Sequence, residues 1–163
     1  MGYLKKIKLE GRSFIDEDKV ALKEAEKNHL NSPKLLRARL LYDGGYYEKA
    51  LLELTSIINL SEFTLFFDEY YYRLARIQSK LNYVDEHVIA KYQKSFDLGK
   101  KSTNYYAPMS ALQIGLIYEK KNDTKKAIIY FEKCLSISNF DYERGIHQKA
   151  KSGLNRAMIS LEG

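Results

Sequence analysis

The chain has no tryptophan, one cysteine, two prolines and nine glycines in 163 residues. With Cys134 alone, no internal disulfide can form. So few prolines and glycines exclude a collagen-like, loop-rich or disordered chain. No apolar run approaches the roughly 20 residues that cross a bilayer as a helix, so no transmembrane segment is expected in this chain. Behind Lys5, Lys6 and Lys8 there is no apolar block, so residues 1–10 do not read as a secretory leader. His29, His87 and His147 stand far apart, and none has a second ligand at metal-binding spacing. Gly99-Lys100-Lys101-Ser102 has the end of a phosphate-binding loop, but Lys94 stands where that loop needs glycine, and the segment follows a helical pattern instead of a strand. No nucleophile elbow is present. Catalysis has no residue set to rest on, so neither an enzyme nor a cofactor is expected.

Charge is unevenly spread. Residues 1–40 carry ten basic and six acidic side chains, residues 41–99 six and nine, and residues 100–163 eleven and six. The net +6 is therefore two basic ends around an acidic middle, a poor match to a continuous phosphate-tracking surface. Fourteen tyrosines could stack nucleobases. Tyr42, Tyr72, Tyr92, Tyr106, Tyr118 and Tyr130 fall on expected helices, however, where rings act as spacers with hydroxyls at the edge. No nucleic-acid partner is expected. Asn59-Leu60-Ser61 and Asn122-Asp123-Thr124 match the glycosylation triplet, and Asn122 is better explained by a turn.

What the chain does have is helical periodicity nearly throughout and a pattern that recurs. Ala38, Gly45-Tyr46-Tyr47, Ala50, Leu54 and Ile57 form one copy. Ala75, Asn82-Tyr83-Val84, Val88, Tyr92 and Ser95 form a second, with one extra residue at its turn and valine where alanine is expected. Gly115, Asn122-Asp123-Thr124, Ala127, Phe131 and Cys134 form the third. Small residues paired across a turn imply two helices that cross closely, as Gly115 and Ala127 would, and Cys134 reads as a small buried residue of the second helix. The pattern predicts hairpins over residues 33–42 with 46–60, 64–81 with 84–98, and 104–121 with 123–137. Ser32-Pro33 supplies a start signal and Gly44-Gly45 a break. Pro108 falls near a first turn, where its missing N–H is harmless. A last helix over residues 142–161 sets Ile146, Ala150, Leu154, Ala157 and Leu161 on one face and polar residues on the other, as a helical stack needs at its end. Residues 16–27 read as a further helix. Residues 3–9 resemble the tail of a helix whose start is missing, which suggests a piece of a longer repeat protein.

These copies resemble tetratricopeptide repeats, although Ala38 to Ala75 spans 37 residues and Ala75 to Gly115 spans 40, against about 34 in the family. More narrowly, residues 13–157 resemble the C-terminal region of larger bacterial members of undefined role, some of them exported. The resemblance implies an all-α solenoid: an N-terminal helical segment (1–32), three hairpins (33–138) and a C-terminal capping helix (139–163). It also implies a non-enzymatic scaffold that binds a protein or peptide. The alternative is a structural end segment of an exported or envelope-associated solenoid that recognises its partner elsewhere. The compartment is cytoplasmic by default, or periplasmic if the chain is a fragment.

In such a stack the first helix of each hairpin lines a concave groove. The positions that would do so are Leu35, Arg39 and Tyr42; Tyr72, Arg76 and Ser79; and Met109, Leu112 and Leu116. Leu35 and Arg39 replace the lysine and asparagine of the chaperone-tail clamp, so that ligand is not expected. Arg39 and Arg76 occupy equivalent positions, where two guanidinium forks would suit an acidic peptide, with Tyr42, Tyr72, Met109 and Leu112 as apolar anchors. The competing expectation is that each arginine pairs internally, with Asp43 or Glu69.

Overall fold

Each first helix of a hairpin stops where one residue turns left-handed. The structure, a computed structural model, describes residues 32–57 and 66–162. In them the chain runs through α1 (Pro33–Asp43), α2 (Tyr47–Thr55), α3 (Phe67–Lys80), α4 (Asp85–Gly99), α5 (Tyr106–Lys120), α6 (Thr124–Leu135) and α7 (Glu143–Glu162). There is no strand among the described residues. Gly45, Asn82 and Asn122 have φ of 80°, 56° and 58°. The residue after each donates its N–H five residues back, Tyr46 to Leu41, Tyr83 to Gln78 and Asp123 to Tyr118. That bond and the left-handed residue together make the glycine-type helix stop, which asparagine also tolerates. The three turns of the recurring pattern are thus one physical device. The expected extra residue of the second copy lies between Asn82 and α4, so Val88 takes the same buried place as Ala50 and Ala127.

The described helices all belong to one compact unit, Lys34–Gly163. The helices expected over residues 3–9 and 16–27, and His29, lie outside the described residues. Within this unit, successive helices pack against one another from α2 onward, and α3 also touches α5, as α5 touches α7. The described residues therefore make an all-α stack of hairpins, a solenoid arrangement. Leu35, Ala38, Ala50, Leu54, Leu74 and Ile77 fill the first core, and Tyr72, Ala75, Val88, Tyr92, Tyr106 and Ile114 the second. A third gathers Ala111, Leu112, Ala127, Phe131, Cys134, Ile146 and Ala150.

Phe131 fills a close crossing. A Cβ on Gly115 would lie 2.6 Å from its ring, and one on Gly153 only 2.5 Å. The ring, fully buried, fills a slot between two glycines of α5 and α7. The sequence pattern sets Gly115 opposite Ala127, but the atoms nearest it belong to Phe131, one turn further along α6. Gly153 has no part in the expected pattern, yet lies 38 residues after Gly115, in step with Ala38 and Ala75.

Two expectations need correcting. α2 ends at Thr55, not near residue 60. Thr55 Oγ1 donates to the Leu51 carbonyl (3.0 Å) and Ser56 Oγ to that of Glu53 (2.8 Å), a competition that short hydroxyl side chains offer the backbone. Leu161 is 52% exposed instead of buried. At 20 residues α7 outruns the 12-residue α6, so its last turn overhangs; Ile146, Ala150, Gly153 and Ala157 form the buried stripe.

Candidate functional site

The first helices carry the candidate groove. One residue past the small residues Ala38, Ala75 and Gly115 stand Arg39, Arg76 and Leu116. Arg39, Tyr42 and Arg76 come together, lining with Ala38, Arg73 and Ile77 a cleft of about 10 Å³. The Arg76 guanidinium lies 4.1 Å from the Tyr42 ring centroid and 5.6 Å from that of Tyr72, a cation–π position for both rings. Burial works against its charge, but the Tyr72 and Tyr42 phenols hold it above its ordinary range. Arg39 reaches Asp43 at 3.8 Å with both side chains about half exposed, a geometry worth little.

The remaining expected groove residues divide by burial. Leu35, Leu112 and Tyr72 are 0%, 1% and 3% exposed, so they are core residues behind the groove and present no side chain to a ligand. Tyr72 is the hub of an aromatic cluster, with Tyr92, Tyr105 and Tyr106 at 6.1, 5.9 and 5.4 Å. Burial pushes the phenols of Tyr72, Tyr92 and Tyr106 well above the usual tyrosine range. Ser79 is exposed, and Met109 and Leu116 are half-buried. Gln113 Nε2 donates to Met109 Sδ at 3.8 Å.

Nothing in the recurring pattern points to the buried charge cluster that lies under this surface. Asp68, Glu69 and Arg73 are 7%, 3% and 4% exposed. Arg73 Nε donates to Glu69 Oε1 at 2.6 Å, and its guanidinium also sits 5.8 Å from the Tyr106 ring. Glu69 is therefore engaged by Arg73, not by Arg76 or Arg39. Burial holds the Asp68 carboxyl above the ordinary carboxylate range, although the Glu69 N–H (2.9 Å) and the Asn104 side chain bond to it. The only advance signal is the Glu-to-Arg spacing of four, which on most helices marks a solvated pair.

Cys134 is fully buried and burial pushes its thiol up to about 12, which leaves no thiolate for nucleophilic chemistry near neutral pH. His147 bonds through Nε2 to the Ile137 carbonyl at 2.9 Å, and His87 is exposed. Among the described residues no three His, Cys, Asp or Glu side chains gather as a metal-ligand set, and no helix is long and apolar enough to cross a membrane.

Residues 110–141, covering most of α5, all of α6 and the turn between them, match the family model described as tetratricopeptide repeat. The chain carries a tetratricopeptide repeat. The matched repeat contains Gly115, the left-handed Asn122, the Asp123 cap that accepts the Lys126 N–H at 3.2 Å, and Phe131. The two preceding hairpins repeat its turn geometry and small-residue register. A stack of this kind is a protein-interaction scaffold. No curated protein matches the chain.

Proposed function

We propose that the chain is a non-enzymatic scaffold whose first-helix face binds an extended acidic segment of a partner protein. The observation that carries this reading is the shared cleft of Arg39 and Arg76. Two guanidinium groups from neighbouring repeats converge there, and Arg76 is held against Tyr42 with no carboxylate of the described residues paired to it. The Tyr42 side chain takes one Arg76 N–H, and the remaining donors of the guanidinium suit a carboxylate. Tyr42, Met109 and Leu116 supply apolar surface beside it, whereas Leu35, Leu112 and Tyr72 support it from behind. The test is an acidic peptide library bound to the parent and to the Arg39→Ala/Arg76→Ala double variant, with melting curves to show that both are folded. Each charge-assisted bond contributes about 1.5–3 kcal/mol, so binding by the double variant should fall at least about tenfold. Equal binding by both proteins, or none by either, refutes the reading.

A further inference from the structure

The groove changes character along its length, and the change specifies more than acidity. At one equivalent position the successive first helices present Arg39, Arg76 and then Leu116. One turn further they present Tyr42, Ser79 and then Glu119. Glu119 is held by Arg156 through two bonds, Nε to Oε1 at 2.7 Å and Nη2 to Oε2 at 2.9 Å. Leu116 and Met109 are half-buried, and their spacing of seven puts them on one face of α5. The α1–α3 end of the groove is thus cationic. The α5 end is apolar, and its Glu119 is neutralised by Arg156.

We infer that the groove selects a bipartite segment, an acidic residue and an apolar residue three positions apart, bound in a polyproline II conformation. This rests on the acidic-segment reading above. α3 packs directly against α5, and packed helix axes lie about 8–10 Å apart. One turn of polyproline II is three residues and about 9.3 Å, so side chains three apart meet equivalent positions on neighbouring helices from the same side. A β-strand turns side chains three apart to opposite faces and cannot make both contacts. The carboxylate goes to Arg76 and Arg39, and the apolar side chain reaches Leu116 and Met109.

The experiment uses labelled peptides and the full chain, with dissociation constants from fluorescence anisotropy. The peptides carry Glu-Pro-Pro-Leu or the reverse order Leu-Pro-Pro-Glu, the same pairs with one or three prolines between, and Glu-Pro-Pro-Ser as the charge-only control. The better two-proline peptide should bind about tenfold tighter than the others, the gain expected from burying part of a leucine side chain. Leu116→Ser should erase that advantage, and a melting curve checks that the variant folds. The spacing series on the parent protein stands without any variant. If every acidic peptide binds equally well, yet Arg39→Ala/Arg76→Ala abolishes binding, the bipartite inference is overturned and the acidic-segment reading survives. If no peptide binds, or the double variant binds as the parent does, both fall.

Discussion

The slot around Phe131 gives the most direct test of how this stack is held together. Carbon atoms in favourable contact lie about 3.5–4.0 Å apart. A methyl group at Gly115 would lie 2.6 Å and 2.7 Å from Phe131 Cε1 and Cδ1, short by about 1 Å. On the other side, a methyl group at Gly153 would lie 2.5 Å from Cζ and 2.8 Å from both Cε atoms. A ring pressed from one side could normally lean away, but here it leans into the other helix. Gly115→Ala or Gly153→Ala must therefore force packed helices apart, at an overpacking cost of about 1–3 kcal/mol. Alanine in place of glycine in a helix interior returns about 0.8–1.0 kcal/mol, so each single variant should lose up to about 2 kcal/mol.

The decisive quantity is the coupling. After one substitution the ring still has a glycine to move toward; after both it has none. The double variant should therefore lose more than the sum of the singles, by about 0.5–3 kcal/mol. For a chain of this size 1 kcal/mol moves the melting temperature by about 2–4 °C, readily resolved by circular dichroism. Phe131→Leu should be less harmful in the double variant than in the parent, because the smaller side chain relieves the crowding. Gly145→Ala is the control: nothing lies within 4 Å of a Cβ there, so it should melt at or slightly above the parent. Additive, or stabilising, Gly115→Ala and Gly153→Ala substitutions would refute the slot.

The buried charges allow two further tests. Arg73→Met removes the cation that pairs with the buried Glu69 carboxyl group, so urea unfolding should show a loss of about 3–5 kcal/mol, and Glu69→Met/Arg73→Met should recover much of it. For Asp68, burial raises the folded-state pKa above the ordinary 3.8. The folded protein thus binds the proton more tightly than the unfolded chain, and the contribution of Asp68 to stability, present at acid pH, is lost as pH rises from 3.8 through the raised value. Asp68→Asn should therefore unfold at a higher urea concentration than the parent at pH 7, with the gap narrowing at pH 4; an equal gap at both would contradict this.

Why some of this could be read in the sequence and some could not follows from the range of the interactions. The three turns were legible because a left-handed residue is a local demand: Gly45, Asn82 and Asn122 are residue types that satisfy it, at a constant seven residues past Ala38, Ala75 and Gly115. Periodicity likewise placed the hairpins, and missed the end of α2 only where Thr55 and Ser56 bond back on their own helix. The candidate groove residues divide. Helical phase puts Arg39, Tyr42 and Arg76 on the first-helix face, but phase alone does not say how deep a side chain lies, and Leu35, Tyr72 and Leu112 are enclosed by neighbouring hairpins. The same limit hid Asp68, Glu69 and Arg73. Their composition reads as a solvated helix start, and it is the packing of Tyr106, Asn104 and the Ser95–Gly99 end of α4 against them that removes the water. Arg76 is the clearest case. The pattern offers it Glu69, at a spacing of seven on the same helix, yet Arg73 stands closer to that carboxylate and takes it, while Arg76 lies over the Tyr42 ring.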